Sequence, residues 1–132
     1  MSINILIVDD SSTVRAIIEK TLRISGIEIG NILHAGNGNE ALEVLRKNWV
    51  DLVITDINMP VMNGVELINK MSQDELLKTI PIAIVSTEGS QTRVEELKSK
   101  GVKAYLRKPF TPESLKKLVI DLLGVSEDES NR

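Results

Sequence analysis

The feature that most constrains this chain is a strict alternation of short apolar runs with amphipathic stretches. The runs are Ile3–Val8, Ile29–Ala35, Leu52–Thr55, Ile80–Val85 and Val102–Leu106. Each is too short for a helix and rich in β-branched Ile and Val, as a parallel strand buried on both faces must be. Between the runs the apolar period lengthens. Val14, Ile17, Ile18 and Thr21–Leu22 are predicted to share one helical face, as are Leu115, Leu118, Val119 and Leu122. Strict βα alternation implies a parallel sheet with helices on both faces, wound right-handed. The length of 132 residues is that of one domain, since domains cluster near ~100–150 residues. The expected division is a domain over 1–123 and a short acidic tail over 124–132, too polar to order itself.

Punctuation supports these elements. Ser11 or Ser12 can cap the first helix, and Gly26 follows its end. Thr111-Pro112 combines a cap with proline at the first helical position, and Gly124 closes that helix. Residues 36–41, G-N-G-N-E-A, match a dinucleotide fingerprint formally, with Asp56 standing 20 residues beyond Gly36. They follow the second run rather than the first, and Glu40 would face a pyrophosphate. Asn37 reads better as a helix cap, with Glu40 completing a capping box.

Composition removes whole classes of function. There is no cysteine, which excludes disulfide scaffolds, thiol catalysis and cysteine zinc sites. The single histidine, His34, cannot form a histidine metal cluster. It ends a strand and is expected at the surface or half-buried, not as a phosphodonor. The net charge of −3 and the three aromatics, Trp49, Tyr105 and Phe110, argue against nucleic-acid binding. No apolar run reaches the ~18 residues of a membrane span, and the start shows no secretory leader. The expected setting is cytoplasmic.

In open α/β sheets, ligands bind beyond the carboxyl ends of the strands. Asp9 and Asp10 end the first run, Asp56 the third, Ser86 and Thr87 the fourth, and Lys108 the fifth. An Asp at a strand end is ordinarily a cap or turn residue, and a lysine before proline a solvated charge. Their joint occurrence at the same end of successive strands asks for more. Three converging carboxylates repel, and a hard divalent cation such as Mg²⁺ relieves them. Carboxylate, cation, ammonium and hydroxyl together can stabilise a phosphoryl group in transfer. One carboxylate must then be the nucleophile. Asp56 stands alone, while Asp9 and Asp10 form a pair suited to the metal.

Four segments carry a resemblance: I-L-I-V-D-D at 5–10, D-I-N-M-P-x-M-N-G at 56–64, V-S-T-E at 85–88 and Y-L-R-K-P-F at 105–110. In order and spacing the chain resembles response-regulator receiver domains of the single-domain chemotaxis (CheY) type, over about residues 3–123. The resemblance implies a flavodoxin-like sheet of five strands ordered 2-1-3-4-5. It implies that Asp56 accepts a phosphoryl group from a histidine kinase. Asp10, Asp56 and the backbone carbonyl of Asn58 would bind Mg²⁺, for which Mn²⁺ can substitute, and Asp9 would act through a metal-bound water. Ser86 would be the switch hydroxyl, Lys108 the phosphoryl partner with a cis bond to Pro109, and Tyr105 the aromatic that follows the switch. Asn58 and Glu88 would tune dephosphorylation toward a short lifetime. No organic cofactor is implied.

The chain departs from relatives at two points. Ser86 stands where threonine is frequent, which keeps the hydroxyl. Ile57 stands where some relatives carry tryptophan, so emission from Trp49 is not expected to report phosphorylation. Rival readings are an aspartyl-phosphate hydrolase, a relay intermediate and an interaction module without phosphorylation. The hydrolase reading is weakened because Asn58 stands where such enzymes place an acid.

The stretch Ser90–Lys100 has only Val94 and Leu97 as large apolar residues, so this fourth helix should be loosely held. Output is expected through residues 90–122 to a downstream protein, by a monomer, with a phosphatase as a further partner. DNA and membrane are not expected partners. Residues 93–117 hold eight Lys or Arg against three Glu, which suggests an acidic partner segment.

Overall fold

The computed structural model describes residues 2–124. Five parallel strands form one sheet, β1 (Ile3–Val8), β2 (Ile29–Ala35), β3 (Leu52–Thr55), β4 (Ile82–Ser86) and β5 (Ala104–Arg107), in the order β2-β1-β3-β4-β5. The helices are α1 (Ser12–Arg23), α2 (Gly38–Lys47), α3 (Gly64–Ser72), α4 (Gln91–Ser99) and α5 (Pro112–Leu123). The doubly wound architecture and the strand order are as expected. The acidic tail beyond Gly124 lies outside the described residues.

Alternation along each strand divides the core in two. Ile5 and Ile7 of β1, with Leu52 and Ile54 of β3, pack under α1 and α5 against Ile18, Leu22, Leu115 and Val119. Leu6 and Val8, with Val53 and Ile84, face α2, α3 and α4 and meet Leu42, Leu67, Met71 and Leu97. The central strands β3 and β4 are wholly buried, whereas the edge strands β2 and β5 are mostly half-buried.

Ser11 and Thr111 cap α1 and α5 through their side chains, and Gly124 adopts the left-handed conformation that ends α5. Asn37 caps α2, but Glu40 reaches back to the amide of Gly36 rather than to that of Asn37. The glycine-rich segment is therefore a cap and a turn. His34 is at the surface, 2.6 Å from Glu19.

Three expectations need correction. Ile17 does not share the buried face of α1: it is 52% exposed while Ile18 is 1% exposed. The buried series is Ile18 and Leu22, and Ile17 is turned by one residue, ~100°, toward solvent. The fourth strand begins at Ile82, not Ile80, because a 3₁₀ turn at Leu77–Thr79 bonds the amide of Ile80, and Pro81 has no N–H for the ladder. The fifth begins at Ala104, because the amide of Val102 still bonds Leu97 at the end of α4.

Candidate functional site

Ladder hydrogen bonds running past the strand ends position the polar residues at the carboxyl edge. The amide of Asp9 donates to the Ala35 carbonyl at 3.1 Å, that of Asp56 to Val8 at 2.9 Å, and that of Lys108 to Ser86 at 2.8 Å. The backbone of each residue is thereby tied to a neighbouring strand. One carboxylate oxygen from each of Asp9, Asp10 and Asp56 lies within 4.8 Å of the others. The three acids selected from the sequence do converge.

Their environments differ. Asp9 is buried at 2% exposure. Its Oδ1 accepts from the Ser11 amide at 2.9 Å and its Oδ2 from Lys108 Nζ at 2.8 Å. Asp56 is half-buried. Its Oδ1 accepts from the Ile57 amide at 2.7 Å, and its Oδ2 is 3.4 Å from Lys108 Nζ. Asp10 is exposed. Burial pushes the Lys108 ammonium down, but the hydrogen bond to Asp9 and the charges of Asp56 and Asp9 outweigh it and hold it above its ordinary value. Lys108 is therefore a fixed cation between two carboxylates, and its bond to Pro109 is cis.

The loop after β3 is packed closely against the acids. Gly64 donates to the Ile57 carbonyl at 2.8 Å. A β-carbon there would fall 2.2 Å from the carbonyl oxygen of Asp56, so this turn requires glycine. Val61 in the same loop has φ of 66°, a rare conformation for a β-branched residue. Asn58 lies on this loop and is exposed.

Ser86 ends β4 fully buried, and its Oγ accepts from the Glu88 amide at 3.2 Å. The Tyr105 hydroxyl donates to the Glu88 carbonyl. Partial burial first, and then the Glu88 charge, push that phenol above its ordinary value. The Glu88 carboxylate accepts from Arg93 Nε at 2.9 Å, and Arg93 also reaches Glu96 at 3.2 Å. Glu88 is thus tied to β4, β5 and α4 at once. Sequence reasoning missed Arg93. The available signal was a cation in the first turn of a helix, where the macrodipole disfavours positive charge unless a partner supplies compensation.

The basic character expected of residues 93–117 is smaller than the count suggests. Lys108 faces the acids, Arg93 is bound to Glu88 and Glu96, Lys100 lies 3.9 Å from Glu96, and Lys117 is 2.7 Å from Asp121.

Hard carboxylate oxygens at mutual distances below 5 Å, beside a lysine and a buried hydroxyl, are a donor set of the chemistry that suits a divalent cation. Residues 5–120 match the family model of the response regulator receiver domain. The chain belongs to that family and is a two-component response regulator, a signalling protein. It is 44% identical over 126 residues to a chemotaxis protein CheY homolog of Campylobacter jejuni (strain 81-176), covering 95% of both chains. It is also 44% identical to chemotaxis protein CheY1 of Helicobacter pylori (strain 26695), covering 93% of this chain and 98% of that one. Among solved structures, the chemotaxis response regulator CheY4 of Vibrio cholerae superposes with a TM-score of 0.83 at 36% identity, over 93% of this chain and 100% of that one. Receiver domains generally bind Mg²⁺ at an acidic pocket of this kind and take phosphate from a histidine kinase. Among the described residues no helix is long and apolar enough to cross a membrane.

Proposed function

We propose that Asp56 accepts a phosphoryl group from a histidine kinase and that the chain relays this state, within chemotaxis, to a protein partner. The observation that carries the reading is the placement of the Asp56 carboxylate 3.4 Å from Lys108 Nζ and within 4.8 Å of Asp9 and Asp10 oxygens. The donor set is all hard oxygen, which suits Mg²⁺ or Mn²⁺. Asp10, Asp56 and the Asn58 carbonyl would hold the ion directly and Asp9 through water. The ion would supply neutralisation of charge on the phosphoryl oxygens.

An Asp56 oxygen attacks phosphorus, and the bond from phosphorus to the donor breaks, with its electron pair leaving on the donor group. Lys108 stabilises the oxygens in flight. Hydrolysis later returns inorganic phosphate, with Asn58 and Glu88 flanking the path of water. Ser86 turning its hydroxyl to the phosphoryl group would give up the Glu88 amide. The loop before α4 is then released, and Tyr105 follows. Of α4 only Leu97 is buried, so this helix is the one least held by its core face. The face formed by α4, β5 and α5 (residues 90–122) is the output surface. A phosphatase would approach the same edge as water.

Intact mass after incubation with acetyl phosphate and Mg²⁺ tests the reading. One phosphoryl adduct is expected, lost with EDTA and lost in Asp56→Asn. No adduct, either from acetyl phosphate or from a phosphorylated histidine kinase, would leave an interaction module. Many turnovers of a small phosphoester per chain would mark a hydrolase instead.

A further inference from the structure

The opposite edge of the sheet carries a second concave feature. A cavity of about 620 Å³ opens beside the amino ends of β3 and β4, between the end of α2, the α2–β3 connection and the α3–β4 connection. That volume lies in the ~300–1,000 Å³ range of ligand pockets. Its floor is apolar: Leu45 and Val50 are buried core residues, with Leu77 and Ile80 packed against them. Two large apolar side chains stand on its lips almost unburied, Trp49 at 78% and Leu76 at 83% exposure.

The Trp49 indole is held in place. Its Nε1–H donates to Asp51 Oδ1 at 3.0 Å. The polar edge is therefore satisfied, and the ring offers its face. At 78% exposure the Trp49 side chain buries little of its surface within the fold, and tryptophan dominates contacts that bury it in a partner.

The charges of the rim indicate what that partner carries. Arg46 is bound to Glu43 at 2.9 Å, and Glu75 to Lys78 at 2.8 Å. These pairs neutralise themselves. Asp51 and Asp74, both lining the cavity, have hydrogen-bond donors but no cationic side chain within 4.0 Å among the described residues. Two uncompensated carboxylates beside an exposed indole face form a setting for a cation, by charge and by cation–π attraction.

We infer that this cavity docks a protein segment carrying a bulky apolar side chain next to a lysine or arginine. The apolar group enters between Trp49 and Leu76, and the cation meets the indole face, Asp51 and Asp74. The site lies at the other end of the sheet from Asp56, and none of its lining residues belongs to 90–122. It therefore serves partner attachment in either phosphorylation state, independently of the phosphoacceptor reading.

Trp49 is the only tryptophan, so its emission reports from the site itself. The probes are a short leucine–lysine peptide and its leucine–glutamate counterpart, titrated into the full chain. The lysine peptide is expected to give a saturable blue shift, the same with and without Mg²⁺ and beryllofluoride. Amide shift changes are expected to be confined to residues 45–51 and 74–81. The glutamate peptide is expected to bind at least tenfold more weakly. Asp51→Asn with Asp74→Asn should weaken the lysine peptide about tenfold, the loss carried by two surface charge contacts. No saturable shift, equal binding of both peptides, or amide changes centred on 90–122 would overturn the inference. So would sedimentation showing that a second copy of the chain covers Trp49.

Discussion

Replacing Asp10 by asparagine should make the metal-free fold more stable while abolishing its response to Mg²⁺. Asp10 has two other carboxylates within 4.8 Å. Each like-charge pair at that separation costs about 0.9 kcal/mol at the dielectric of water (~80). Asp10 is exposed, so the aqueous figure governs. Two pairs make about 1.8 kcal/mol, and attraction to the ammonium of Lys108, which binds the other two acids, returns on the order of half. The net gain for Asp10→Asn is about 1 kcal/mol, or ~3–5 °C in Tm for a domain of this size. Wild type should instead gain about 2.7 kcal/mol when Mg²⁺ is raised to ~100 times its Kd, and the variant should gain almost none. Urea unfolding in EDTA and in Mg²⁺ measures both quantities. A variant that is equal or less stable in EDTA would refute the repulsion argument, and a wild type indifferent to Mg²⁺ would refute the metal reading.

Gly64→Ala places a β-carbon 2.2 Å from the Asp56 oxygen and 2.9 Å from Ile57 Cα, both backbone atoms that cannot step aside. It should cost on the order of 3 kcal/mol in urea unfolding and slow phosphorylation through the displaced Asp56. In α1, Ile18→Ala should cost about 2–5 kcal/mol, whereas Ile17→Ala should stay within ~0.5 kcal/mol. Equal losses would refute the helix orientation. Tyr105 is the only tyrosine, so ultraviolet absorbance titrates it alone. Its midpoint is expected above the ordinary 10.0 because burial and the Glu88 charge disfavour the phenolate. Because the folded state holds this proton more tightly, its contribution is intact below pH ~10 and is lost as pH rises toward the folded midpoint.

The acidic edge was legible because parallel sheets put strand ends in register. Once Ile3–Val8 and Leu52–Thr55 are recognised as neighbouring strands, Asp9, Asp10 and Asp56 can only emerge together. The orientation of α1 was not, because Ile17 and Ile18 are chemically alike and only packing against β1 decides between them. Strand starts moved for a related reason. Ile80 and Val102 are apolar enough for a strand, but their amides are claimed by the preceding turn and helix. The cavity under Trp49 was invisible for want of any local pattern. It joins residues 45–51 to 74–81, and only the fold brings those segments to one rim. Arg93 needed the same three-dimensional step, since of its two partners Glu96 is at helical spacing but Glu88 lies outside it.

The ties on Glu88 indicate how weakly the start of α4 is held. Arg93 and Glu88 are about one-third exposed, at 33% and 29%, so their pair contributes no more than about 1 kcal/mol. The bond from the Glu88 amide to Ser86 Oγ adds a similar amount. With Leu97 the one buried residue of α4, these contacts hold the helix start. Under the proposed phosphorylation, a phosphoryl group that captured the Ser86 hydroxyl would remove one of them and shift the population without disturbing the sheet. Arg93→Gln removes another. It should speed amide exchange at Gln91–Leu97 by up to about fivefold, the equivalent of ~1 kcal/mol, and leave exchange in β1 and β3 unchanged. The burial of the Tyr105 phenol and the Glu88 charge both persist in that variant, so its absorbance titration should stay above the ordinary value. Unchanged exchange in α4 would mean that the helix is held by something other than Glu88.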